Sequence, residues 1–310
     1  VEGLADDPDV KFITRDRLVR PSLDNVTAAV GATASTASAY QGSGVGIAVI
    51  DSGVSPHADL GLRLAYSESF IPAKPGQSAS DATKDWFGHG THIAGIAAGS
   101  GASSLRSDGK RPLQGMAAKA KIVNLRVLDE TGTGVDSTVI AAIDRAIALK
   151  KKYNIRVINL SLGRPVLDSY KNDPLCRAVE KAWKSGIVVV VAAGNYGRYN
   201  YVGNQGYGTI AAPGNDPYVI TVGAMKHAGT ASRADDSMAS YSSKGPSQVD
   251  HVVKPDLVAP GNRVASLMSF AQGSTLISQF PGNIVPLSYY RLAEVSGDSR
   301  SYFWLNGTSM

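Results

Sequence analysis

The chain has 310 residues, of which 43% are hydrophobic and 18% charged, an ordinary globular balance with room for one large core or two modest ones. No run of ~18 apolar residues spans a membrane, and a single cysteine, Cys176, forms no internal disulfide and completes no zinc spacing. The formal charge of +5 is scattered, with Lys150–Lys152 the one short basic run, so the charge describes a solvated surface and no nucleic-acid partner is expected.

The first stretch, Asp7 to Val19, reads as a charged strand that gives way at Pro21 to Ser/Ala-rich sequence. No charged and apolar leader stands at Val1, so any signal peptide lies outside this sequence. Continuous apolar runs follow at Ile47–Ile50, Ile122–Val127, Val157–Leu160, Ile187–Ala193 and Val219–Val222. Runs without alternation suit strands buried on both faces. Between them, residues 137–150 place Val139, Ile140, Ile143, Ala146 and Ile147 on one helical face, with Asp136 or Ser137 as the cap. A second helix starts after Asp173 with Pro174 in its first turn and stops at Gly186. Strands alternating with helices imply a parallel sheet with right-handed crossovers. The expected fold class is α/β, doubly wound, a mainly parallel sheet with helices on both faces.

Three strand ends carry polar groups followed by a turn: Ile50-Asp51-Ser52-Gly53, Leu160-Ser161-Leu162-Gly163 and Ala193-Gly194-Asn195. Carboxyl ends of strands are where open α/β sheets gather their chemistry, and three such ends suggest a built site. Gly88-His89-Gly90-Thr91-His92-Ile93-Ala94-Gly95 reads as a histidine opening a buried helix. His89 is a candidate base; His89 and His92 as metal ligands, or as plain core histidines, stay open, and no Glu completes a zinc motif. Asp51 alone is equally a turn cap, Asn195 a turn residue, and Ser309 in Asn306-Gly307-Thr308-Ser309-Met310 a loop serine.

Taken in order, Asp-Ser-Gly after a strand, Gly-His-Gly-Thr-His, and Gly-Thr-Ser-Met resemble the subtilisin-like serine proteases. Ser161-Leu162-Gly163, Ala192-Ala193-Gly194-Asn195, Tyr241-Ser242-Ser243-Lys244-Gly245-Pro246 and the run from Lys254 to Gly261 resemble the same family, over roughly residues 22–310. The resemblance implies a serine endopeptidase with Ser309 as nucleophile, His89 as base and Asp51 as its orienting partner. It implies Asn195 as an oxyanion donor beside the Ser309 N–H. His92 matches a structural histidine. Protein or peptide substrates would lie between Gly132-Thr133-Gly134 and Ser161-Leu162-Gly163. Leu162, Gly163, Ala193 and Gly194 would wall the S1 pocket, Ala211 would raise its floor, and Val135 would stand near S4. No cofactor is needed for catalysis. A structural calcium is considered at Asp59, which matches a family ligand, although one carboxylate cannot satisfy an ion wanting 6–8 oxygens.

Two departures stand out. Between Gly261 and Ser309 the chain is longer than a short subtilisin by about thirty residues, carrying Phe270, Phe280, Tyr289, Tyr290, Tyr302, Phe303 and Trp304. These form either a lid beside Ser309 or a small core of their own. The loop Gly99–Gly115 does not match the usual calcium loop. Residues 1–21 resemble the end of an inhibitory prodomain, or else form an N-terminal strand, which leaves 22–310 as the catalytic domain. The expected protein is a secreted, broad-specificity zymogen whose prodomain acts as intramolecular inhibitor. A C-terminal continuation is expected to supply a helix opening at Ser309, so that residues 1–310 alone should not fold cooperatively and cleave casein. The competing reading is a catalytically silent subtilase-fold binding or scaffold protein. A serine esterase is disfavoured because Ser309 lacks the Gly-x-Ser-x-Gly elbow.

Overall fold

The computed structural model describes residues 30, 40–105, 109, 111–200, 203–230, 232–269, 274–292 and 295–310. The segment expected to be prodomain, residues 1–21, lies outside them, as does Phe270. The strands of the main sheet are β1 (Gly46–Asp51), β2 (Leu64–Ser69), β3 (Lys121–Arg126), β4 (Ile155–Leu160), β5 (Val188–Ala192), β6 (Ile220–Lys226), β7 (Ser237–Met238) and β8 (Leu257–Pro260). Their order is β2-β3-β1-β4-β5-β6-β7, with β8 also pairing β6. The β6–β7 pair is antiparallel and the others are parallel.

β1 shows why its apolar run is continuous. Ala48 and Ile50 pack under the helices α3 (Asp136–Tyr153) and α4 (Pro174–Lys184) with Val139, Ile143 and Val179. Ile47 and Val49 pack on the other face under α2 (His89–Ala98) with Ile93 and Ala98. A short α1 (Ala79–Ala82) precedes α2. α4 starts as expected: Asp173 accepts hydrogen bonds from the Leu175 and Cys176 N–H groups, and Pro174 needs no partner. α3 does not. Its N-cap is Val135 without a side-chain bond, because the Asp136 carboxylate is drawn to Arg164 at 2.8 Å.

Beyond β1, one face of the sheet is open. Following Ile47 and Val49 across the sheet, the residues on their face are Val157 and Asn159 of β4, Val188, Val190 and Ala192 of β5, Ile220 and Val222 of β6, and Leu257 of β8. Val188, Ile220 and Leu257 are 44%, 38% and 49% exposed, an unusual state for neighbouring apolar residues in mid-sheet.

The long segment after Gly261 folds as an antiparallel sheet, β10-β11-β9, from β9 (Val264–Leu267), β10 (Ile284–Pro286) and β11 (Asp298–Leu305). Tyr290 and Tyr302 meet edge to face at 5.2 Å and are buried in the α2 side of the core. Tyr289, Tyr290 and Tyr302 therefore join the α2 side of the core rather than forming a core of their own, Phe303 sits in a small cluster with Met268 and Leu305, and Phe280 is exposed, while the helix α5 (Thr275–Gln279) reaches the site. The Thr275 and Leu276 N–H groups donate to the carbonyls of Trp86 and Phe87, just ahead of His89.

Candidate active site

The strand order turns at β1 and β4, whose neighbours β3 and β5 lie on opposite sides. This is the switch point at which open sheets collect ligands. Asp51 ends β1, 1% exposed, and Ser161 follows the end of β4. His89 opens α2 over the same edge. Its Nδ1 lies 2.8 and 2.9 Å from the two Asp51 oxygens, so Nδ1–H donates to the carboxylate and Nε2 is left as the acceptor. Gly90 permits that approach: a Cβ there would stand 2.2 Å from the Gly53 carbonyl and 3.1 Å from Asp51 Cβ. Burial opposes charge on His89, but the charge and hydrogen bond of Asp51, with Asp85 behind it, outweigh burial and raise its pKa above the ordinary 6.5.

His92 is different. Its Nε2 faces the carbonyls of Val264 and Phe303 at 3.1 and 3.0 Å, and burial pushes its pKa down to about 3. It is a neutral core group that joins α2 to β9 and β11. Among the described residues, no three His, Cys, Asp or Glu side chains are grouped to hold a metal ion.

Ser309 lies just beyond β11. Its Oγ donates to the Ser161 carbonyl at 3.1 Å, and Ser161 Oγ donates to the Ser309 carbonyl at 2.8 Å. The serine is thus fastened to the end of β4, and its hydroxyl is not hydrogen-bonded to His89. Asn195 Oδ1 accepts from the Thr308 N–H at 3.0 Å and from the Thr308 hydroxyl at 3.2 Å. With the carbonyl end of the amide held, Nδ2 keeps its donors beside Ser309.

Ser309 and Asn195 share a cavity of about 350 Å³ with Ser161, Leu162, Gly163, Gly194 and Ala211. The Ala211 methyl stands 3.0 and 3.1 Å from where Cβ atoms of Gly163 and Gly194 would lie, so only glycines leave that space open. Ala193, expected in the wall, is not there. It is fully buried beneath it, bonded to Val222 and Ala211, because the strand alternates and turns Ala192 and Gly194 to the cavity instead. Tyr196 and Tyr199, stacked at 5.5 Å, also line it and carried no periodic signal in the sequence. A groove of about 340 Å³ continues from His89 between Gly132–Gly134 and Ser161–Gly163, past Val135, to the Asp136–Arg164 pair. Phe87, Leu128, Val139 and Leu175 complete its apolar walls.

The profile described as the subtilase family matches residues 42–310. The chain belongs to the subtilase family. This subtilase is 36% identical to the serine protease AprX of Bacillus subtilis over 99% of its own length and 63% of that protein. It is 34% identical to subtilisin E of Bacillus subtilis, over 86% of its own length and 61% of that protein. The chain therefore spans about three fifths of the length of these curated relatives. Among solved structures it resembles a cold adapted subtilisin-like serine proteinase (TM-score 0.56, 27% identity, covering 87% of this chain and 72% of that one). It also resembles the S41 psychrophilic protease (TM-score 0.61, 26% identity, covering 86% and 73%).

Asp59, considered above for calcium, does not fit one. Its Oδ1 accepts from the Ser103 N–H and hydroxyl at 2.8 and 2.6 Å, and its Oδ2 from the Tyr302 hydroxyl at 2.7 Å. Protein donors hold both oxygens, and the neighbour at 3.7 Å is the His57 ring rather than further oxygen. Tyr302→Phe should leave a buried carboxylate oxygen short of a donor and lower stability by ~1.5–3 kcal/mol, read from urea unfolding. An unchanged midpoint would show that bond to be idle.

Proposed function

We propose that the protein is a serine endopeptidase that hydrolyses peptide bonds through an acyl-enzyme, with Ser309 as nucleophile, His89 as base, Asp51 as its orienting partner and Asn195 as oxyanion donor. The observation that carries this is the His89 ring, held by both Asp51 oxygens at the switch point with Nε2 toward the groove that leads to Ser309. For this, Ser309 Oγ must leave the Ser161 carbonyl and turn to His89. Hydrogen bonds of this kind tighten when substrate arrives. Oγ then attacks the scissile carbonyl as its proton passes to Nε2. The tetrahedral oxyanion takes hydrogen bonds from Asn195 Nδ2 and from the Ser309 N–H, which has no hydrogen-bond partner among the described residues. His89 passes the proton to the departing amine, and water repeats the steps to release the acid. Labelling with a fluorophosphonate tests the assignment: modification at Ser309, lost in His89→Ala, is expected. Absence of labelling in a folded protein that still binds peptides would favour the silent binding protein.

The groove edges are backbone from Gly132–Gly134 and Ser161–Gly163, which supports sequence-tolerant binding of an extended peptide and hence broad specificity. Activity should rise with pH, because the neutral ring is the base. With the pKa of His89 raised, the midpoint of kcat/KM should fall above the ~6.5 of free histidine. A flat profile across pH ~6–8 would count against His89.

The open face of β5, β6 and β8 supports a covering element from a C-terminal continuation, whose burial would contribute ~25 cal/mol per Å². Expressing a longer natural chain should close that face and stabilise the fold; equal urea stability with and without it would remove the idea. Residues 1–21 are read as the end of an inhibitory prodomain of a secreted zymogen. N-terminal sequencing of the active, secreted enzyme should give a start near Arg20–Asp24, and a start at Val1 would defeat that reading. No helix among the described residues is long and apolar enough to cross a membrane.

A further inference from the structure

A second carboxylate stands behind the first. Asp85 precedes His89 by one helical turn's worth of sequence and is 0% exposed. It makes no hydrogen bond to His89. Its Oδ1 accepts from the Ser52 hydroxyl at 2.8 Å and the Gly88 N–H at 2.7 Å, and its Oδ2 from the Thr91 N–H at 2.8 Å. Ser52 Oγ accepts in turn from the Gly90 N–H at 3.0 Å. One carboxylate therefore gathers, directly or through Ser52, the backbone N–H groups on both sides of His89. These are donors that a helix start leaves unpaired. It ties them to the residue that follows Asp51. Donors this numerous suit the anion, which can only accept; burial nonetheless leaves the Asp85 carboxyl above its usual range, with these bonds pulling against it.

We infer that Asp85 is a positioning residue for the proposed reaction: it fixes the His89 backbone against Asp51 and sets a second buried negative charge behind the imidazolium that forms in the transition state. The inference rests on the reading of His89 as the base. Asp51 at the end of β1 shares the imidazole, His92 one turn along α2 is neutral, and Arg126 at the end of β3, whose guanidinium bonds the Ala82 and Leu128 carbonyls, interacts electrostatically with Glu130, Asp85 and Asp129 and so offsets part of the Asp85 charge. The Asp85 backbone is itself held, its N–H by Ser55 Oγ at 3.2 Å and its carbonyl by Ser269 Oγ at 2.7 Å, so the carboxylate has a fixed origin.

The test compares wild type, Asp85→Asn and Ser52→Ala on one peptide substrate across pH. In Asp85→Asn the midpoint of kcat/KM should move to lower pH by ~0.5–1. Its kcat should fall ~10-fold or more with KM little altered. Ser52→Ala keeps the charge and removes the bridge to Gly90, so its kcat should fall while the midpoint stays. A folded Asp85→Asn enzyme with the wild-type midpoint would overturn the inference. If Asp85→Asn does not fold, Ser52→Ala decides, and an unchanged kcat there would overturn it. A wild type with no pH dependence at all would instead sink the base assignment, a separate failure.

Discussion

Ser309→Ala should reduce kcat by about 10⁶-fold while leaving peptide binding in place, a magnitude taken from the equivalent change in subtilisin. The hydroxyl is the one atom that becomes covalently bound to substrate, and nothing nearby replaces it. Ser161 sits alongside, but its Oγ is committed to the Ser309 carbonyl at 2.8 Å. His89→Ala should cost about as much, and the double variant little more, because nucleophile and base act as a unit. Single-turnover assays with an activated ester would check this. Additive losses, or a Ser309→Ala protein that still cleaves peptides, would remove Ser309 from the chemistry.

Asn195→Leu should lower kcat by ~10²–10³ with KM nearly constant, again the size known for subtilisin. The physical reason lies in timing. Thr308 holds the Asn195 carbonyl end at 3.0 Å, so Nδ2 is aimed before substrate binds and spends nothing on reorientation. It meets the oxygen only once the carbonyl has become tetrahedral, and so acts on the transition state and not on binding. The leucine side chain has similar bulk and no donor. A variant with wild-type kcat would mean that the oxyanion is stabilised elsewhere. A variant with raised KM alone would make Asn195 a binding residue.

The sequence was most legible where burial is symmetrical. β1 and β3 could be read because both of their faces meet apolar neighbours, which removes alternation and leaves plain runs, and β5 and β6 carry the same runs although one of their faces is open. β2, with the sequence Leu-Ala-Tyr-Ser-Glu-Ser, is half-exposed along its length and has no such run. β9 to β11 pair with one another at short separations, but their serines and aromatics fit loop and strand equally. The cap of α3 was misplaced because Arg164 competes for Asp136 from well beyond the helix. Asp51, His89, Asn195 and Ser309 were nominated through resemblance and order, and the fold sets Asp51 at the end of β1, His89 at the start of α2, Asn195 beyond β5 and Ser309 beyond β11. Ala193 was placed on the wrong side of a strand by one step of the alternation. Tyr196 and Tyr199 sit in an irregular loop, where no period marks a residue as facing a cavity.

The pairing of β11 with β9, in which Leu305 stands opposite Val264, has a bearing on when the proposed site becomes complete. Asp51 and His89 come from the first third of the chain and can meet early. Ser309 arrives only when its strand has found a partner, and a two-residue slip would carry it ~7 Å out of place. On the proposed reading, a chain in which β11 is not yet seated on β9 would hold His89 beside Asp51 with no serine for them to activate.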